Sequence, residues 1–310
     1  MHAAVVSAFD HPPRYETVEA PQARDDDEVV VDVLAAGLHP RVRSSANGSH
    51  YTSSGDLPLI PGIDGVGRGA DGELLYFVLP DTRRGSMAEQ TVVDRRRSVV
   101  LPAGSDAAAI AAAMNPAMSS WLALRARIAI QPGQEVLVLG ATGNAGRMAV
   151  EIAKRLGAGR VIGAGRDAER LAALAELGAD LTVSLDDDAL AAAADVDIVL
   201  DYLWGAPAER AMRTLLTRRR DRGRPLDWIQ IGSVAGPDIT LPSAALRAAN
   251  LRVMGSGQGS VSTREIVAQL PVLAAEIPAL RVDVHAVPLS EVERAWSASG
   301  APGQRVVFTP

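Results

Sequence analysis

The sequence predicts an α/β protein that joins a β-rich, irregular segment to a doubly wound parallel sheet. Three observations carry this expectation. Residues 1–105 hold short β-branched runs separated by Gly/Pro/Ser-rich turns. From Asp106 onward, alanine-rich helical stretches alternate with short apolar runs, the texture of a parallel sheet with crossover helices. A glycine-spaced turn, Gly140 to Gly146, stands between one such run and one such helix.

In order along the chain, Val29–Leu34 and Leu74–Leu79 read as strands, with Ser53-Ser54-Gly55-Asp56 and Pro61-Gly62 as turns between them. A helix starts after Asp106, and Asn115-Pro116 is expected to end it in a turn. Strands follow at Glu135–Leu139, Arg160–Ala164, Leu181–Ser184, Asp197–Tyr202, Asp227–Ile231 and Leu251–Met254. The helix after Gly146 stops at Gly157, a residue suited to the left-handed C-terminal turn. Beyond Gly255 the pattern gives a helix at Thr263–Ala275, a strand at Arg281–Val287, a short helix near Glu291–Ser297 and a last strand at Arg305–Thr309. No internal repeat is present.

At 310 residues two domains are expected, and 47% hydrophobic with 22% charged residues is ordinary globular composition. The chain has no cysteine, which excludes disulfides, Cys-ligated zinc, iron–sulfur clusters and thiol catalysis. Lys154 is the only lysine, and Tyr202 is followed four residues later by Ala206, so a Tyr-x-x-x-Lys centre is excluded there. A net charge of −6 and only three Phe, four Trp and four Tyr argue against a nucleic-acid binder. The clusters Arg95–Arg97 and Arg218–Arg224 have aspartates beside them, Asp94 and Asp221, and read as solvated faces. The apolar N-terminus meets Asp10 without a basic n-region, and Ala107–Leu124 is interrupted by Asn115-Pro116. No membrane partner and a cytoplasmic location are therefore expected.

The strongest chemical signal is Gly140-Ala141-Thr142-Gly143-Asn144-Ala145-Gly146, entered from an apolar strand and left by a helix. Glycines here let backbone approach a pyrophosphate, and the helix N-terminus offers amides and a positive dipole end. The next strand ends Gly163-Ala164-Gly165-Arg166. A guanidinium in place of the usual carboxylate matches a ribose 2′-phosphate, so NADPH is expected over NADH. Asp167 is expected to cap the following helix instead. Gly232-Ser233 and Gly255-Ser256, at the ends of later strands, are expected beside the nicotinamide.

With these motifs in this order, the chain resembles the medium-chain dehydrogenase/reductase superfamily, in its zinc-independent quinone oxidoreductase branch. The likeness rests on Met1–Val6, Leu59-Ile60-Pro61-Gly62-Ile63-Asp64-Gly65-Val66-Gly67 and Gly85–Gln90. It extends to Gln131-Pro132-Gly133-Gln134, Pro288-Leu289-Ser290-Glu291-Val292 and Arg305-Val306-Val307. It implies a GroES-like catalytic domain formed by residues 1–105 and 265–310, with a Rossmann domain, 106–264, inserted in it. It also implies a homodimer, and Asn115 as an amide contact for substrate or cofactor. Zinc-dependent members carry Gly-His-Glu where this chain has Gly62-Ile63-Asp64, so no metal is expected. The branch's Asn-Pro-x-Asp is here His39-Pro40-Arg41-Val42, and its Gly-x-Tyr is Gly48-Ser49-His50-Tyr51, one residue longer.

Without zinc, a Tyr/Lys pair or cysteine, such a reductase delivers hydride to an acceptor that is already electrophilic, a quinone or a conjugated enone, and needs only a weak acid nearby. Tyr51 is the first candidate for that acid, then His50. Two other readings are a C=N reductase, with His39 or Tyr51 giving the proton, and an NADPH-binding protein without chemistry.

Overall fold

The computed structural model describes residues 1–298 and 303–310. It divides into two units, Met1–Asn115 with Val267–Pro310, and Pro116–Ile266. Both division points fall inside helices rather than at 105/106 and 264/265.

The first unit opens with β1 (His2–Val5) paired antiparallel with β2 (Arg14–Thr17). β3 (Glu28–Gly37) follows, then helix α1 (Pro40–Ala46), β4 (Asp64–Arg68), β5 (Leu74–Val78), β6 (Gln90–Asp94) and β7 (Ser98–Val100). In β3 the valines 29, 31 and 33 are buried while Val30 and Asp32 are not, the period-two alternation of a sheet with one face on a core. A register shift between Val33 and Ala35 marks a bulge against β4. Phe77, Met87, Val31 and Phe308 anchor that core.

Helix α2 (Ala107–Leu122) contradicts the expected stop at Asn115-Pro116, because it runs straight through Pro116. A proline inside a helix removes one hydrogen bond and costs about 3 kcal/mol. Here Ala111–Met114, Ala117 and Met118 are buried, and the carbonyl of Ala112, which a non-proline residue 116 would have bonded, accepts from Arg305 Nε at 3.3 Å. Burial and a substitute donor offset the loss. The chain then widens into a π-turn over Ala123–Arg127. Residues 107–127 are long and apolar enough to cross a membrane, but 72% of the tested stretch is buried within the protein, as in a core helix.

The second unit alternates β8 (Glu135–Leu139), α3 (Asn144–Arg155), β9 (Arg160–Gly165), α4 (Ala168–Ala172), β10 (Leu181–Ser184) and α5 (Asp187–Leu190). β11 (Ile198–Asp201), α6 (Gly205–Arg218), β12 (Leu226–Gln230), α7 (Ser243–Ala248) and β13 (Leu251–Gly255) complete it. All six strands are parallel, in the order β10-β9-β8-β11-β12-β13. Val136–Leu139 and Ile198–Asp201 are wholly buried, which is why parallel strands read as continuous apolar runs. Each such aliphatic side chain contributes about 1.5–3 kcal/mol of burial. Strand order reverses at β8 and β11, and ligands of doubly wound sheets bind beyond the carboxyl ends at that point.

The chain returns to the first unit through α8 (Thr263–Glu276), then β14 (Asp283–Pro288), α9 (Val292–Ser297) and β15 (Gln304–Thr309). β15 pairs parallel with β14 and antiparallel with β3, which makes the sheet mixed.

Candidate active site

The turn after β8 is built around backbone that side chains would block. Gly140 has φ +82°, and its amide and that of Ala141 both donate to Ala164 O at 3.0 Å, tying the turn to β9. A Cβ on Gly146 would lie 2.2 Å from Gly140 O, so the helix packs on the turn only because position 146 is bare. Gly143 differs: its φ of −79° suits any residue, and a Cβ there would meet nothing closer than Gly140 O at 3.4 Å. No side chain caps α3, which leaves the positive end of its dipole to whatever occupies the turn.

At the end of β9, Arg166 is exposed, and no side-chain partner holds it among the described residues. Asp167 caps α4 as expected, accepting from Arg170 N at 3.1 Å. The neighbouring carboxylate is therefore committed to the helix. The loops after β12 and β13 bring Gly232-Ser233 and Gly255-Ser256 to the same carboxyl edge. A Cβ on Gly232 would press on Tyr202 O at 2.9 Å. Gly140, Ala141, Thr142, Gly143, Asn144, Ala145, Gly146, Gly165, Arg166, Gly232, Ser233, Gly255 and Ser256 thus share one edge of the parallel sheet.

Two further residues of this edge are not among the site residues expected from the sequence. Asp201, at the end of β11, is buried, and its Oδ1 accepts from the amides of Leu203 and Trp204 at 2.8 and 3.0 Å. Its Oδ2 accepts from Trp228 Nε1 at 3.0 Å. Burial pushes the Asp201 carboxyl above the usual range against those bonds. Tyr202 lies 2.9 Å from Ser119 Oγ, and the serine gives its proton to Pro116 O at 2.6 Å, so the phenol donates. Burial raises the Tyr202 pKa to about 12. An aspartate closing an apolar strand is the signal that could have exposed the first; Ser119 is too distant in sequence to expose the second.

His39, His50, Tyr51 and Asn115 lie in the first unit. Tyr51 is 74% exposed and stacks on His50, ring centres 4.4 Å apart. His50 Nδ1 accepts from Thr52 N at 3.3 Å and lies 2.7 Å from Thr52 Oγ1, which leaves the ring proton on Nε2. Burial, then Arg41, holds the His50 pKa below its ordinary value.

The structure removes His39 from the donor candidates. It is 1% exposed with both ring nitrogens engaged: Nε2 lies 3.0 Å from Asp64 Oδ1, and Nδ1 accepts from Arg305. Tyr76 donates to Asp64 Oδ2 at 2.8 Å and Ser86 Oγ to Asp64 O at 2.6 Å. Arg305 can only donate, so His39 Nδ1 is the acceptor and Nε2–H donates to a carboxylate. A neutral imidazole thus bridges a buried guanidinium and a buried carboxylate. Burial lowers the His39 pKa against the pull of Asp64, and lowers Arg305 to about 10. This network lies in the Gly62-Ile63-Asp64 segment, and no three potential metal-ligating His, Cys, Asp or Glu side chains cluster among the described residues.

A pH dependence of stability follows. The folded-state pKa of His39 is depressed below its unfolded value near 6.5, so the unfolded chain binds the extra proton first. The network's contribution is complete above pH 6.5 and declines as pH falls toward the folded-state pKa. Thermal unfolding from about pH 7.5 to about pH 5 is expected to show Tm falling on the acid side, and His39→Gln is expected to flatten that slope. An unchanged slope would refute the neutral bridge.

The arginine clusters serve the fold. Arg96 pairs with Asp94 and Asp27. Around Arg218–Arg224 the acidic partners are Asp195 and Asp197 rather than the expected Asp221. Buried Arg219 donates to four backbone carbonyls, of Ala194, Val196, Arg224 and Pro225.

Residues 145–274 match the family model described as zinc-binding dehydrogenase. Over the whole of both chains, this protein is 32% identical to a probable NADPH-dependent quinone reductase of Emericella nidulans. It is 25% identical to the chloroplastic NADPH-dependent alkenal/one oxidoreductase of Arabidopsis thaliana, over 57% of this chain and 50% of that one. The quinone oxidoreductase of Thermus thermophilus, solved also in complex with NADPH, superposes over all of both chains with a TM-score of 0.82 and 28% identity. The chain belongs to the medium-chain dehydrogenase/reductase superfamily, in its zinc-independent, quinone-oxidoreductase-like branch.

Proposed function

We propose that this protein is an NADPH-dependent reductase of quinones or conjugated enones that works without a metal. The observation that carries the reading is Gly143. The packing of Gly140 and Gly146 explains their bareness, but nothing in the chain itself needs a glycine at 143. Close approach of a pyrophosphate to the uncapped start of α3 does. Gly143→Ala is therefore expected to keep its fold and lose about tenfold or more in NADPH affinity by fluorescence titration. Gly146→Ala should instead lose thermal stability through overpacking, by about 1–3 kcal/mol. A Gly143→Ala variant that binds NADPH as tightly as the parent would remove the support for the site.

In this reading Gly140–Gly146 holds the pyrophosphate, Arg166 takes the 2′-phosphate, and Gly232-Ser233 and Gly255-Ser256 flank the nicotinamide, with Asn115 as an amide contact. NADPH supplies hydride. The protein holds the acceptor and stabilises the oxygen that gains negative charge when its conjugated carbonyl takes the hydride. That oxygen receives a proton or a hydrogen bond from the Tyr51 hydroxyl. The His50 imidazole, neutral and stacked beneath Tyr51, orients the phenol and keeps its own Nε2–H. Because a quinone or enone is electrophilic at the start, no Lewis acid is required, and the zinc-ligand segment is free to carry the His39–Asp64–Arg305 network instead.

A further inference from the structure

A cavity of about 380 Å³ lies between α6, α7 and the loop leading to α7, wholly within the second unit. Its floor is apolar: Met212 and Leu216 from α6, Leu241 and Ala245 from the opposite side. Its cations are Arg213 and Arg222, both exposed. On a helix, Glu209 and Arg213 are natural i,i+4 partners, yet Glu209 accepts the amide of Thr240 at 2.6 Å and makes no ion pair with Arg213 among the described residues. Arg222 donates once, to Thr217 O at 3.3 Å, and neither guanidinium pairs with a carboxylate among the described residues. The Thr217 hydroxyl is turned onto the carbonyls of Arg213 and Thr214. The cavity therefore presents an apolar floor with two guanidiniums whose donors are largely unspent.

Because α6 starts after the carboxyl end of β11 and Arg222 precedes β12, the cationic end lies toward the amino edge of the sheet. The glycine turn is on the opposite edge.

We propose that this cavity is a second binding site, for an amphipathic carboxylate whose alkyl chain or single ring fills the apolar floor while Arg213 and Arg222 hold the anionic head. Apolar walls with a few convergent polar groups are the usual build of a small-molecule pocket. Guanidinium forks suit a carboxylate in both charge and shape. A neutral analogue gains only the floor.

Calorimetric titration with decanoate and with decanol, each with and without saturating NADPH, tests this. Decanoate is expected to bind one per chain, at least about tenfold tighter than decanol, equally well with and without NADPH. Arg213→Gln with Arg222→Gln should bring decanoate down to the level of decanol, while Ala245→Trp, which fills the floor, should abolish binding of both. The proposal is overturned if decanoate and decanol bind alike, if NADPH displaces decanoate, or if the double arginine variant binds decanoate undiminished. It is equally overturned if Ala245→Trp keeps its folded circular-dichroism spectrum and still binds decanoate.

Discussion

Replacing Tyr51 by phenylalanine is expected to lower kcat for a quinone or enone by about 10- to 1000-fold, the range for losing one transition-state hydrogen bond or proton donor. NADPH affinity should not change, because the glycine turn and Arg166 belong to the other unit. Tyr51 is exposed and its ring rests on His50, so the substitution keeps the stack and removes only the hydroxyl. His50 carries its proton on Nε2 and is held neutral by burial and by Arg41. It is the other donor within reach of that role. If Tyr51→Phe keeps full kcat while His50→Ala loses it, the extra residue after Gly48 has moved the role to His50. If both variants turn over normally, water is the acid and these side chains act only by position.

The second large effect concerns cofactor choice. Arg166→Ala is expected to weaken NADPH by roughly ten- to a hundredfold and to leave NADH nearly unchanged, since a charge-assisted contact to a phosphate contributes about 1.5–3 kcal/mol. The strand end fits this expectation. Asp167, the carboxylate that would otherwise take a ribose hydroxyl, is spent on the amide of Arg170, and Arg166 has no competing partner among the described residues. Fluorescence titrations of both cofactors against both proteins measure it. Equal losses for NADPH and NADH would show that Arg166 supports the fold of the loop and not the phosphate.

The glycine turn and the Arg166 strand end are each local in sequence, which makes them legible there. Strand β8, the glycine turn and α3 are contiguous, and their apolar run, bare positions and helix start are visible in one short stretch. The central parallel strands β8 and β11 are legible because burial on both faces leaves uninterrupted aliphatic runs. The continuation of α2 through Pro116 is not legible, because the donor that takes the abandoned Ala112 carbonyl is Arg305, 193 residues away. The engagement of His39 is hidden from the sequence for the same reason. Its partners Asp64 and Arg305 meet it only after β4 and β15 join β3 in one sheet. The bonds of Asp201 to Trp228 and of Tyr202 to Ser119 are not legible in the sequence, because those partners come from a neighbouring strand and from α2.

Metal-free reduction of an activated acceptor is tested most directly by the oxidation of NADPH by the purified, exhaustively chelated protein, followed over a panel of quinones, conjugated enones and cyclic imines, with primary alcohols and NADP⁺ tried in the reverse direction. Turnover with quinones or enones, undiminished by chelation, is expected, with no oxidation of alcohols. Activity that appears only when zinc is restored, or turnover confined to imines, or NADPH binding with no acceptor reduced, would contradict it.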